Sequence, residues 1–255
     1  MDKSRLSLHQ TAHVRYLELD LLRTVGIVLM IVYHIGFDLS FFWDFKLDPL
    51  SGGWFLLQRI TANIFLVLVG VSAAISSARM ERRGASRREK LRKNFRSGIG
   101  LLACGALVSL VTIIAVGDLY VRFGILHLIA VAVILTPLLT PLREGNAILA
   151  IVVLLLNRTI GNMNVQTSLL LPLGLTPPSF SSVDYFPLFP WIASVLLGIA
   201  IGNFLYNRGT LKRHLPTNRL TTLLSSPGRH SLLIYLVHQP VLLGILKTLA
   251  LLRIL

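Results

Sequence analysis

Residues 79–116 read Arg79-Met-Glu-Arg-Arg-Gly-Ala-Ser-Arg-Arg-Glu-Lys-Leu-Arg-Lys-Asn-Phe-Arg96, then Ser97-Gly-Ile-Gly-Leu-Leu-Ala-Cys-Gly-Ala-Leu-Val-Ser-Leu-Val-Thr-Ile-Ile-Ala-Val116. The second half is about twenty residues with no charge, the length needed to cross a bilayer as a helix. The first half holds nine Lys or Arg against Glu81 and Glu89. A basic run abutting an uncharged one is what the positive-inside rule describes. The pair decides the fold class: an all-α polytopic membrane protein.

Composition agrees. Of the 255 residues, 54% are hydrophobic and 14% charged, against about 25% charged in soluble domains. Mean hydropathy is +0.71. The formal net charge of +14 would suggest nucleic acid in a soluble protein. Here the charge is concentrated in loops, without an aromatic-rich soluble module, so it reads as a topology signal and not as a nucleic-acid site. The single cysteine, Cys104, lies in an apolar run. It allows neither an internal disulfide nor a thiolate metal cluster, and no metal is expected.

Working outward, apolar windows fall at 19–39, 56–78, 97–116, 123–139, 146–160, 188–206 and 231–252. They predict about seven spans. Pro137 and Pro141 end the fourth, the fifth is short, and Pro240 is expected to kink the seventh and free a carbonyl. Lys3, Arg5 and Arg15 before the first window resemble an uncleaved signal anchor. The second, fourth and sixth loops carry the cations, the sixth through Arg208, Lys212, Arg213, Arg219 and Arg229. That alternation predicts the N-terminus inside and the C-terminus outside. Residues 1–18 then form a cytoplasmic segment and 19–255 one transmembrane domain. Its long outer loop, about 161–187, ends in aromatic anchors, and the setting is the lipid bilayer of the cell membrane. A homo-oligomer is compatible with the sequence.

Ionisable groups within spans are costly and mark function by default. Arg23 and His34 are eleven residues apart on the first span. That spacing puts them within about 20° of one helix face and roughly 16 Å apart along the axis, as two ends of one polar path. Asp20 and Arg23 have ion-pair spacing. His34 and Asp38, at i,i+4, are spaced to hydrogen-bond. A carboxylate that fixes a histidine's tautomer leaves the other nitrogen as a general base. The alternative is an interfacial histidine reaching water. The topology also gathers His34, Asp38, Arg59, Arg122, His127 and Asp184 into one outer layer. Taken singly, Arg59, Arg122 and Asp184 are ordinary flanking charges. His238 sits mid-span, either on a substrate path or bonded to the carbonyl that Pro240 frees. No Walker loop, His-Glu-x-x-His or Gly-x-Ser-x-Gly elbow is present, so histidine is the best reactive group available.

Three stretches carry a resemblance. They are Glu18-Leu-Asp20-Leu-Leu-Arg23 leading to Tyr33-His34, then Arg122-Phe-Gly-Ile-Leu-His127, and Gly228-Arg-His-Ser-Leu-Leu-Ile-Tyr-Leu-Val-His-Gln-Pro240, with Phe-Pro-Leu-Phe-Pro-Trp at 186–191 between them. Together they resemble the catalytic-domain family of heparan-α-glucosaminide N-acetyltransferase, within a wider clan of integral membrane sugar acyltransferases. The lysosomal enzyme has more spans and a large lumenal domain, so this chain looks like a minimal prokaryotic-type member. The resemblance implies acetyl-CoA or another acyl-CoA as donor from the cytoplasm, and a glycan or amino-sugar acceptor on the far side. It implies His34 as catalytic base, and Arg23 on the donor path or supporting the helix; Asp38 and His127, from the outer layer, are the further catalytic candidates. A basic inner rim of Arg23, Arg96, Arg229 and His230 suits phosphates, although the positive-inside rule already accounts for those charges. Arg59, Arg122, Asp184 and His238 remain candidates for binding substrate. The competing function is a transporter or permease with a buried histidine pathway. It is weakly supported, because no internal repeat or paired broken helices are found.

Overall fold

The computed structural model describes residues 16–161, 163, 165–211 and 215–254. The N-terminal cations Lys3, Arg5 and Arg15, and Lys212 and Arg213 of the sixth loop, lie outside the described residues. The long elements are α1 (Leu17–Trp43), α2 (Gly52–Arg82), α3 (Arg87–Val116), α4 (Ile125–Leu139), α5 (Asn146–Ile160) and α6 (Leu188–Gly202). Two short helices, α7 (Arg219–Leu224) and α8 (Ser226–Arg229), lead to α9 (Ser231–Leu251). The described residues contain no strand, only one isolated bridge between Phe123 and Tyr185.

Each boundary has a local cause. Ser86 and Glu89 form a reciprocal capping box at the start of α3, which satisfies two orphan N–H groups. Asp44 closes α1 in the left-handed region, φ 53°. The first span runs longer than its apolar window, because Glu18 and Asp20 fit the positive end of the helix dipole. The sixth continues into a π turn, Asn203–Asn207. Among the described residues, six helical stretches are long and apolar enough to cross a membrane, and residues 125–160 make one of them. That stretch is broken at 140–145, where Arg143 has φ 48° and ψ −125°. Asn146 stitches the break by donating from Nδ2 to the carbonyls of Leu139 and Arg143. The chain turns back here, so α4 and α5 are separate helices, and the described residues hold seven long helices, α1 to α6 and α9, close to the expected seven.

The reversal is visible in the contacts. Thr140 donates to Ser77 Oγ at the C-terminal end of α2, and Glu144 pairs with Arg208 at 2.6 Å. Beyond α5, the Leu171 carbonyl accepts from the Tyr185 hydroxyl at the opposite end. The second, fourth and sixth loops therefore meet at one end of the molecule, called here the basic end. Tyr16 and Tyr206 touch there, with Arg79 over the Tyr16 ring.

The core centres on α2 and α6. Gly70 faces the Val195 carbonyl and Gly198 faces the Val67 carbonyl so closely that a Cβ on either would sit 2.1 Å from that oxygen. Small residues permit this approach where no hydrophobic force separates protein from lipid. On this pair pack α4 and α5, with Leu66, Leu128, Val195 and Ile199 fully buried. α3 lies against α4, α1 against α2, and α9 and α8 against α1. The outward faces keep apolar residues such as Val28, Ile114 and Ile148 exposed, as lipid-facing helices do. α9 runs on through Pro240 without interruption.

Candidate functional site

Two polar places lie along α1, one at each end of the eleven-residue interval. The first is the seam between α1 and α9. His34 turns its ring back along α1, and Nδ1 donates to the Met30 carbonyl at 2.8 Å. A carbonyl only accepts, so Nδ1 carries the ring proton and Nε2 of the neutral ring is a bare lone pair. His238 does the same on α9, donating from Nδ1 to the Tyr235 carbonyl at 2.6 Å. The two imidazoles stand edge to face with centroids 4.6 Å apart. Tyr33 packs edge-on against His34, and Tyr235 lies against His238.

Two expectations are corrected here. Asp38 does not hold the His34 tautomer. Its side chain is 0% exposed and turns to α9, where Oδ1 accepts from Gln239 Nε2 at 2.5 Å. The Met30 carbonyl, which belongs to the helix ladder, has a second lone pair within reach of the ring, and it takes the role that spacing assigned to Asp38. Nor does His238 bond the carbonyl that Pro240 frees, since the nearer Tyr235 carbonyl has it. The Asp20–Arg23 pair forms as expected, at 2.8 Å.

The expected outer layer is partly gathered. Asp184 lies in the loop that precedes α6, and its Oδ2 accepts from the Ile125 N–H at the start of α4. The loop is clamped there by Phe186 N–H to the Phe123 carbonyl and Val183 N–H to that of Leu119. Tyr33 and Tyr235 lie within electrostatic reach of Asp184, which ties this loop to the α1–α9 seam. His127 caps α4: the Gly124 N–H donates to Nδ1 at 3.3 Å, so Nε2 of the neutral ring carries the proton and offers a donor instead of a lone pair. Its ring fills the space over Gly105. Arg59 lies over the Phe55 and Trp191 rings, each at 4.7 Å. Arg122 lies over Tyr120 and Phe180.

Burial pushes the Asp184 carboxyl up to about 6, and the Ile125 N–H only partly offsets it. An unfolded aspartate titrates near 3.9. Between about pH 4 and 6 the folded state therefore holds the extra proton, so stability falls as pH rises through that window and is flat above it. Asp184→Asn keeps an acceptor for Ile125 without the charge. It is expected to melt at or above the wild-type temperature at pH 7.5, with the difference vanishing at pH 4. Thermal melts in detergent across that range check this, and a wild type whose advantage over the variant grows from pH 4 to 6 contradicts it.

The second place is a cavity of about 240 Å³ at the basic end, lined by residues that include Arg23, Ser72, Ser76, Arg79, Arg83 and Lys93. Arg23 donates to Asp20 and, at 2.6 Å, to Ser72 Oγ. Lys93 donates to Ser76 Oγ. Arg229 stands on the far side of Asp20, 3.9 Å from Oδ2, and holds Ser225 Oγ. Gly228 lets α8 approach α1, its N–H donating to Thr24 Oγ1. Arg96 is not among the lining residues, and His230 is engaged with the Ser226 carbonyl. The sequence reading passed over Arg79, Arg83 and Lys93 as individual candidates. A signal was there: Ser72, Ser76, Arg79 and Arg83 step by four, three and four, which is one face of α2.

The family model described as heparan-alpha-glucosaminide N-acetyltransferase, catalytic, matches residues 15–240. That span takes in the residues of both polar places and ends within α9. No curated protein matches the chain at a significant level.

Proposed function

The chain belongs to the heparan-α-glucosaminide N-acetyltransferase catalytic-domain family, and from that premise we propose that it moves an acetyl or other acyl group from acyl-CoA, bound at the basic end, to a sugar hydroxyl or amine at the opposite end, with His34 as base. It is a multi-pass membrane protein of an acyltransferase family. In the proposed orientation the basic end faces the cytoplasm, in line with the positive-inside rule, and the acceptor is extracytoplasmic. One observation carries the reading: the bare Nε2 of His34 sits in a polar seam on the same helix as Arg23, which lines the cationic cavity.

The chemistry follows from that atom. His34 Nε2 takes the proton from the acceptor O–H or N–H as its oxygen or nitrogen attacks the thioester carbonyl. The new C–O or C–N bond forms and the C–S bond breaks. The departing thiolate takes the proton back from the imidazolium, so the histidine ends as it began. The cations of the inner cavity suit the CoA phosphates, since charge-assisted bonds to phosphate are the strong ones.

Arg83 and Lys93 are the cleaner test of that donor end, because Arg23 is also engaged with Asp20. The double variant Arg83→Ala, Lys93→Ala is expected to weaken acetyl-CoA binding by about tenfold or more at low salt, less at high salt. His34→Ala is expected to bind it as the wild type does. Equilibrium binding to purified protein in detergent decides: an unchanged Kd in the double variant removes the cavity from the donor path. A wild type that binds no acyl-CoA of any chain length removes the acyltransferase reading.

A further inference from the structure

The α1–α9 seam contains an imbalance that the transfer chemistry does not use. Among the described residues, three buried side-chain atoms there have no hydrogen-bond partner: Asp38 Oδ2, His238 Nε2 and Gln239 Oε1. Asp38 is 0% exposed and His238 8%. Each of the three is an acceptor. His238 Nδ1 holds the ring proton on the Tyr235 carbonyl, so Nε2 is a lone pair. Gln239 has turned its amide N–H to Asp38, so its carbonyl oxygen is left over. The Asp38 carboxylate has spent only one oxygen. The seam thus presents three open acceptors, and His34 adds the lone pair of its own Nε2.

Leaving one buried acceptor unpaired costs on the order of 1–3 kcal/mol, and native folds pair nearly all such atoms. Unpaired ones gathered in one place, on residues that two helices bring together from opposite ends of the chain, mark a receptor for something that donates. An apolar group cannot satisfy them, and an anion would be repelled. The complement is a polar group rich in N–H or O–H donors.

We propose that Asp38, His238 and Gln239 form the docking site for the acceptor's reacting end, with Asp38 acting on the acceptor and not on His34. This rests on the acyltransferase reading above and extends it. Gln239 is the positioning residue. Its N–H fixes one Asp38 oxygen, so the other is held out toward the bound group, and the same bond locks α9 onto α1 beside the histidines. A donor-rich group seated there brings one of its protons to His34, whose ring stands against that of His238. Ammonium and clustered hydroxyls share this donor chemistry.

Asp38→Asn tests it with little change of shape. The asparagine oxygen can still accept from Gln239, so the bond between helices survives, but an NH2 replaces the open acceptor. Hydrogen-bond polarity is inverted at one atom. Glucosamine is the probe, followed by saturation-transfer NMR on the full chain in detergent, with acetyl-CoA binding measured on the same samples. The expected result is that wild type binds glucosamine, Asp38→Asn binds it at least tenfold more weakly, and the variant melts no lower than wild type and keeps its acetyl-CoA affinity. Gln239→Leu is expected to lose glucosamine binding likewise. Glucose in parallel separates the two donor sources: equal binding assigns them to hydroxyls and tenfold weaker binding to the amine, either in support. Asp38→Asn that binds glucosamine as wild type does overturns the inference, as does a wild type that binds neither sugar while still binding acetyl-CoA. Loss of acetyl-CoA binding by the wild type would strike the acyltransferase reading instead, and sugar binding abolished by Asp38→Asn would then stand as a docking site alone.

Discussion

His34→Ala is expected to lower acyl transfer from acetyl-CoA by about a hundredfold or more, with acetyl-CoA affinity unchanged. The size follows from the tautomer. Nδ1 is committed to the Met30 carbonyl, so the ring can act through Nε2 alone, and alanine removes the group that accepts and returns the proton. The neighbours cannot take over. His238 also keeps a lone pair on Nε2, but in the proposed arrangement that atom holds the acceptor, and His127 presents a proton where a base needs a lone pair. His34→Gln is the companion variant, because it can keep a bond to the Met30 carbonyl and fill the seam without titrating. If both variants fold and both lose transfer, the lost function is proton transfer and not packing. A folded His34→Ala that acylates at the wild-type rate would remove His34 from the chemistry.

The same residue shows what sequence can and cannot reveal. The third span was legible because twenty uncharged residues follow nine cations without interruption, and no tertiary context competes with that signal. The break between α4 and α5 was legible from Pro137 and Pro141, since proline cannot continue the ladder, although Arg143 rather than a proline takes the positive φ. Asp20 and Arg23 were legible because the pair is local. Asp38 was misread because two partners competed for it and the winner, Gln239, lies 201 residues away. Nothing in one chain without its packing tells a carboxylate to prefer another helix to its own turn. Gln239 has no local signature for the same reason: the group it bonds lies on the first helix. The inner cavity was half legible, because positive-inside charge and phosphate-binding charge look alike until the fold shows which cations line a hollow and which face solvent.

The second large effect is expected far from any reactive atom. Gly198→Ala should destabilise the fold by about 1–3 kcal/mol or more, and Gly70→Ala by a similar amount. At each site the added Cβ would meet the opposing helix's backbone at 2.1 Å, the Val67 carbonyl in one case and the Val195 carbonyl in the other. Backbone cannot rotate away as a side chain can, so the helices must separate. Gly202 lies one turn on, where an added Cβ would meet Ala74 Cβ at 2.9 Å and the Val71 backbone at 3.0 Å, so there is no slack along the seam to absorb the shift. Functional geometry rides on this contact. Asn63 receives the Ser194 hydroxyl across it, Arg59 of α2 lies on Trp191 of α6, and Asn207 reaches the Ala74 carbonyl at the basic end. Separation should therefore lower the melting temperature and weaken acetyl-CoA binding together, whereas Gly244→Ala, with open space around its Cβ, should do neither. A Gly198→Ala protein that melts with the wild type would mean that α2 and α6 are not in backbone contact, and the positions of both polar places along α1 would lose their frame.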